Sequence, residues 1–143
     1  MNWETLKPNH YHKDPVEYIY TKTIFPNNDY DRLYENQNNI NHQVWKDFDS
    51  KYKMGFEFKE NFSEIDFDKE VMCLWFFKER SNLTTSYVSV EGKDVQYTPN
   101  TFLITTNKNL RFIEKKRKYI RNPLLQLDMS LTIFQNILKR FQK

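Results

Sequence analysis

Two histidines and an aspartate near the N-terminus are the residues best suited to metal chemistry. His10, His12 and Asp14 alternate along the chain, and alternate side chains of an extended segment point the same way. Imidazole and carboxylate groups are common metal ligands, so the pattern predicts a candidate metal site. Surface or packing histidines are the commoner explanation of so short a spacing. His42 is the only other histidine, and it could complete the metal site only if the fold places it close to the N-terminal arm.

Cys73 is the only cysteine, which excludes an intramolecular disulfide and a Cys-x-x-Cys redox pair. It lies inside the apolar run Val71–Phe77, whereas a catalytic thiolate needs an electropositive, partly exposed setting. We therefore predict that Cys73 is a core residue. The chain has two glycines and no Gly-x-Ser-x-Gly motif. This excludes a glycine-rich phosphate loop and gives no support for a serine hydrolase.

Positive charge is concentrated in the last quarter of the chain. Residues 108–143 hold 10 basic and 2 acidic side chains, whereas residues 1–107 hold 12 basic and 17 acidic ones. The basic stretch is defined by Lys108, Arg111, Lys115, Lys116, Arg117, Lys118 and Arg121.

Three interpretations of the basic stretch are open. It could follow a phosphate backbone, with Phe112 and Tyr119 stacking on bases, meet an acidic protein, or be a solvated face. A protein partner or a second copy of the chain is favoured by a narrow margin, because the acidic remainder would repel an extended nucleic acid. Trp3 is predicted to anchor the N-terminal arm to that partner, since large rings often do so.

The elements that must position these residues are mostly strands. Alternating or continuous apolar residues, bounded by turn residues, predict a first strand, a central strand covered on both sides, a hairpin and three further strands. Helical spacing predicts one early helix and one closing amphipathic helix capped by Ser130, with Leu131, Phe134, Leu138 and Phe141 on one face. The predicted strands are 16–25, 71–77, 87–90, 95–97, 101–106, 110–114 and 124–129, and the predicted helices are 30–38 and 131–141.

Length and composition define the class of protein. The 143 residues suffice for one domain, and an aromatic content of 17% argues against disorder. We predict an arm over residues 1–15 and a single β-rich α+β domain over residues 16–143, with jelly-roll-like antiparallel sheets. The chain has no apolar run long enough for a membrane span and no signal-peptide pattern at its start, which predicts a soluble protein in the host cytoplasm or a virion. The absence of alanine and the excess of lysine over arginine indicate an AT-rich genome, and we predict a phage or viral origin.

Four segments carry a resemblance to a known family. The opening strand and helix 16–30, the strand 71–77, the strand–turn–strand 95–104 and the final strand 121–127 are similar to those of small 2-oxoglutarate/iron oxygenases of the prolyl-hydroxylase type. The resemblance implies a double-stranded β-helix fold. It also implies that Arg121 takes the place of the arginine that binds the 2-oxoglutarate carboxylate.

The metal motifs of that family have no counterpart here. The family pattern places His-x-Asp/Glu shortly before Val71 and a histidine shortly after Ile104, and this chain has histidines at neither place. The resemblance therefore implies a non-catalytic relative that keeps the scaffold for binding. We predict a non-enzymatic interaction or structural protein that needs no cofactor. The alternatives are an oxygenase that binds Fe(II) through displaced ligands and 2-oxoglutarate through Arg121, and an accessory protein that binds nucleic acid through the basic stretch.

Overall fold

The computed structural model describes residues 6–53, 66–77, 79–81, 86–112 and 124–142. Within them the chain forms eight strands and three α-helices, with short 3-10 turns at Pro8–His10 and Asn107–Asn109. In chain order the elements are β1 (Tyr11–His12), β2 (Tyr18–Thr21), α1 (Asn27–Glu35), α2 (Gln43–Tyr52), β3 (Val71–Phe76), β4 (Ser86–Val90), β5 (Lys93–Tyr97), β6 (Thr101–Thr106), β7 (Leu110–Phe112), β8 (Leu124–Leu127) and α3 (Leu131–Phe141).

The strands form two antiparallel sheets, which confirms the α+β class. The larger sheet has the order β1-β2-β6-β3-β8, and the smaller has the order β5-β4-β7. β3 pairs with β6 in one sheet, and β4 pairs with β5 in the other. The chain therefore runs as a two-stranded ribbon that passes from the larger sheet to the smaller one and back. β8 then lies beside β3, and β7 beside β4.

Strand β3 is buried along its whole length, as its lack of a polar face predicts. Val71, Cys73 and Trp75 belong to a core shared with the three helices. Met72 and Leu74 belong to a second core, shared with the smaller sheet. The alternation follows from the two-residue period of a strand. The described residues thus form three layers, with helices, larger sheet and smaller sheet in that order.

The first helices differ from the prediction. Helix α1 begins at Asn27, three residues before the predicted start at residue 30, and buries Tyr30 and Leu33. Helix α2 was not predicted, although Val44, Trp45 and Phe48 follow helical spacing and lie buried. The imidazole of His42 caps α2 by accepting a hydrogen bond from the Val44 N–H.

The closing helix and the central hairpin agree with the prediction. Ser130 accepts a hydrogen bond from the Ile133 N–H at the start of α3, and Phe134 and Leu138 are buried. Gly92 occupies the hairpin turn with a φ of 86°, a left-handed conformation that glycine adopts without strain. The helices in the described part of the chain are all too short or too polar to cross a membrane.

The predicted N-terminal arm joins the sheet before residue 16. β1 pairs with β2, with Tyr11 opposite Ile19 and His12 opposite Tyr18. Leu6 is buried in the helix-side core, and its carbonyl oxygen accepts a hydrogen bond from the Arg140 guanidinium. The predicted arm therefore contacts the larger sheet through β1 and helix α3 through Leu6.

Candidate functional site

An open groove of about 1140 Å³ lies between α3 and the ends of the neighbouring strands. We call it the α3 groove. Its residues come from the segment 11–17, from the residue before β3, from the end of β6 and the turn that follows it, and from α3 and the residue after it: Tyr11, Lys13, Val16, Glu17, Glu70, Thr106, Asn107, Lys108, Asn109, Leu131, Phe134, Gln135, Leu138, Phe141 and Gln142.

Helix α3 supplies the apolar wall of the groove. Phe134 and Leu138 are buried, whereas Leu131 and Phe141 are only partly buried. The Phe141 ring packs against Tyr11, with ring centroids 6.2 Å apart. Residues 131, 134, 138 and 141 share one face because of the helical period. The two buried residues of this face therefore anchor α3 to the core, and the two partly buried residues remain accessible from the groove.

Glu17 fastens the end of α3 to the start of β2. Its carboxylate accepts hydrogen bonds from the Tyr11 hydroxyl, at 2.6 Å, and from the side-chain amide of Gln142. Partial burial, together with the hydrogen bond to Glu17, raises the pKa of Tyr11. The carboxylate of Glu17 is thus already engaged by two donors of this chain.

Thr106, which lines the groove, has a buried side-chain oxygen without a hydrogen-bond partner among the described residues. It lies directly opposite Val71 in the sheet, and opposed residues of an antiparallel pair point to the same face. Thr106 therefore faces the helix side of the sheet. Among the described residues its hydroxyl oxygen is the buried side-chain polar atom that lacks a hydrogen bond. Such an atom loses its bonds to water without replacement, which costs free energy of folding.

Three exposed charges surround the groove. They are Lys13, Lys108 and Glu70. The ion pairs formed within the described ranges involve other residues: Lys51 with Asp29, Lys69 with Asp128, and Arg80 with Asp31. The groove thus brings together Lys13 of the predicted arm and Lys108, the first residue of the basic stretch.

The rest of the basic stretch is only partly visible. Arg111 lies in β7, opposite Ser89, with its side chain outside the described part. The remaining predicted contact residues, including the candidate 2-oxoglutarate ligand, lie outside the described residues: Trp3, Lys115, Lys116, Arg117, Lys118 and Arg121.

The candidate metal ligands at the N-terminus have other contacts. The Nδ1 atom of His10 accepts a hydrogen bond from the Lys7 N–H at 3.0 Å. His12 stacks on Tyr18, with ring centroids 4.8 Å apart, and Asp14 is exposed. Across the described ranges, no three His, Cys, Asp or Glu side chains form a group that could hold a metal ion.

Partial burial lowers the pKa of both histidines. Lys7 adds to this effect at His10. Lys93, followed by His10, adds to it at His12. The neutral form favoured by these surroundings is also the form that stacks and accepts hydrogen bonds here.

The space between the two sheets is packed with apolar side chains. The segments 66–70, before β3, and 105–109, after Ile104, contain no histidine, and residues 60–65 of the place of the first metal motif lie outside the described residues. The core between the sheets consists of Tyr18, Met72, Leu74, Phe76, Val88, Val90, Val95, Leu103, Leu110 and Leu124.

Comparison with known proteins adds no assignment. No family model, curated protein or solved structure matches this chain.

Proposed function

We propose that this chain is a non-enzymatic interaction protein that binds a protein partner at the α3 groove and the basic stretch. One observation carries the proposal: Lys13 and Lys108, from the two segments that the sequence marks as contact surfaces, line the same open groove. The apolar wall formed by α3 adds the kind of surface that protein interfaces bury at their centre.

The proposed scaffold is a jelly-roll-like double-stranded β-helix derived from an oxygenase-like ancestor. The ribbon formed by β3–β6 and β4–β5 supports it, because folding such a ribbon across two sheets generates jelly-roll connections. The apolar filling between the sheets suits a scaffold kept for binding. A phage or viral origin, in the host cytoplasm or in a virion, belongs to the same proposal.

A protein partner is favoured over nucleic acid by the composition of the groove. Glu17 and Glu70 line it together with the two lysines, and carboxylates repel phosphates. Of the aromatic rings that line the groove, Phe134 is buried in the core, and Tyr11 and Phe141 are partly buried and pack against each other. Binding of single strands needs exposed rings on which bases stack.

The test compares the wild type with a variant in which Lys115, Lys116, Arg117 and Lys118 are replaced by glutamine. We expect the wild type to capture a partner from the lysate of its host and to bind the purified partner again, and we expect the variant to bind it more weakly. Nucleic acid as the true ligand would instead give an affinity that falls with salt, with a slope of about −0.7 to −0.9 per phosphate, and the variant would flatten that slope by about three to four units. Stoichiometric Fe(II) with succinate production from 2-oxoglutarate would establish the enzyme and overturn the proposal.

A further inference from the structure

The segment from Lys7 to His12 is held to the larger sheet by few contacts, and we call it the N-terminal strap. It consists of Lys7, the 3-10 turn Pro8–His10 and strand β1, and all six residues are exposed or only partly buried. β1 pairs with β2 through two residues and is an edge strand of the described sheet. Segments that bury little apolar surface open locally at a low free energy.

His10 closes the turn of the strap in its neutral form. Its Nδ1 atom accepts a hydrogen bond of 3.0 Å from the Lys7 N–H, and the backbone N–H of His10 donates to the Lys7 carbonyl oxygen at 2.9 Å. Both ring nitrogens of a protonated imidazole are donors. Protonation of His10 therefore ends the bond from the Lys7 N–H and leaves two donors facing each other. Partial burial, and then the charge of Lys7, lower the pKa of His10.

His12 holds the strand of the strap against β2. Its ring stacks on Tyr18, with centroids 4.8 Å apart, and lies edge-on to Tyr20 at 6.4 Å. The ammonium group of Lys93, on β5 of the smaller sheet, lies 5.6 Å from the centroid of the same Tyr18 ring. Protonation of His12 therefore places a second cation at this ring. Partial burial, then Lys93 and then His10 lower the pKa of His12.

The other charged groups around the strap do not favour protonation of its histidines. Arg140 of α3 adds a further cation on the helix side, where it donates to the Leu6 carbonyl oxygen. The carboxylate of Glu17 already accepts two hydrogen bonds from this chain, and Asp14 and Lys13 are exposed. Neither carboxylate contributes to the pKa shifts of the two histidines. Acidification thus adds positive charge beside cations.

We propose that the N-terminal strap is an acid-sensitive switch, in which protonation of His10 and His12 releases residues 7–12 from β2 while the remaining fold stays intact. Release breaks the pairing of β1 with Tyr18 and Ile19 and uncovers the edge of β2 that β1 covers in the described sheet. It also removes Tyr11 from the wall of the α3 groove. The switch goes beyond the proposed function and does not depend on it.

Amide hydrogen exchange of the full chain tests the switch at about pH 7.5 and about pH 5, on either side of the ordinary histidine pKa. Protection factors remove the intrinsic effect of pH on exchange, and the backbone N–H groups of His10 and Tyr11 report on the strap. Local opening predicts that these groups are at least about a hundredfold less protected than those of β3 at both pH values. Their protection should fall several-fold on acidification, because the open strap binds protons more readily.

The variant His10→Asn with His12→Phe tests the cause of the opening. The asparagine oxygen can accept from the Lys7 N–H without titrating, and the phenylalanine keeps a ring for stacking on Tyr18. Strap protection in this variant should be the same at both pH values. The matched control is His42→Asn, because His42 caps α2, outside the strap, and asparagine is a good cap. This control should keep the pH response of the wild type.

Lys93→Gln tests the repulsion at the Tyr18 ring, and it should reduce the pH response without abolishing it, since His10 still titrates. A response undiminished in Lys93→Gln would remove Lys93 from the switch. Strap amides as well protected as those of β3 would show that the strap opens only when the whole chain unfolds, and would overturn the proposal. Wild-type protection that does not change with pH would overturn it as well, and so would a full pH response in the double histidine variant.

Discussion

The indole nitrogen of Trp75 donates a hydrogen bond of 3.1 Å to the side-chain oxygen of Asn100, and both residues are fully buried. The side-chain amide of Asn100 donates in turn to the carbonyl oxygen of Phe25, at 2.6 Å. Its backbone N–H donates to the carbonyl oxygen of Phe76, and its own carbonyl accepts from the Ile24 N–H. Asn100 thus joins the central strand to the segment that enters α1.

Asn100 is also one of the residues with a left-handed backbone, with a φ of 64°. We expect Asn100→Ala to lower the free energy of unfolding by about 3 kcal/mol or more, because it leaves two buried partners unsatisfied and strains the backbone. Asn100→Gly keeps the backbone conformation and should cost about 1 kcal/mol less than the alanine variant. Urea unfolding measures both. An alanine variant as stable as the wild type would show that the Trp75 and Phe25 groups find other partners.

Phe134 tests whether α3 is a structural helix. Its side chain is only 2% exposed, so Phe134→Asp should lower the free energy of unfolding by about 3–5 kcal/mol. The neighbouring Gln135 is exposed, and Gln135→Asp should stay within about 0.5 kcal/mol of the wild type. Thermal melting of the two variants gives the comparison. If Phe134→Asp melts within a degree or two of the wild type, α3 does not depend on this contact with the core.

The sequence pattern predicts those elements whose buried faces can be recognised from their own residues. β3 has no polar residue and is buried on both sides. Helix α3 has a capping serine and an unbroken apolar stripe, and the structure has both features. Helix α2 is not among the predicted elements, although Trp45 and Phe48 are three residues apart and so share a face of the helix.

The α3 groove could not be predicted in the same way. It exists because Glu17, Thr106 and Phe141 meet, and these residues are far apart in the sequence. Long-range pairing decides their proximity: β2 lies beside β6, and α3 reaches back to the arm. Only Lys108 was predicted as a contact residue, from charge alone. No sequence pattern marks Tyr11 or Thr106 as a groove residue, because their position there depends on tertiary contacts with distant parts of the chain.

Cys73 offers a direct probe of core opening. It is fully buried, and burial raises the pKa of its thiol. The thiolate is the reactive form, so iodoacetamide should label the native protein at least about a hundredfold more slowly than the urea-unfolded protein. Cys73 is the only cysteine, so the mass of the intact protein reports one site. Rapid labelling under native conditions would show that the helix-side core opens locally around β3.

His12 makes stability depend on pH. Its ring stacks on Tyr18, whose ring also lies 5.6 Å from the Lys93 ammonium. Partial burial, then Lys93 and then His10, lower the pKa of His12 below the ordinary value of 6.5. The unfolded chain therefore binds a proton near pH 6.5, while the folded chain binds it only at lower pH. Acidification from the pKa of His12 in the unfolded chain towards its lower pKa in the folded chain therefore lowers the free energy of unfolding. Well above pH 6.5 His12 is neutral in both states, and this loss of stability is absent.

The free energy of unfolding should accordingly fall between about pH 7 and pH 5.5, near the ordinary histidine pKa. His12→Phe keeps an aromatic ring for stacking on Tyr18 and removes the titrating group, so the fall should become smaller. Part of the fall should remain, because burial and Lys7 lower the pKa of His10 in the same direction. Urea unfolding of both proteins across this range measures the difference. Equal slopes for the two proteins would mean that His12 titrates alike in the folded and unfolded chain, and that its stack on Tyr18 does not oppose protonation.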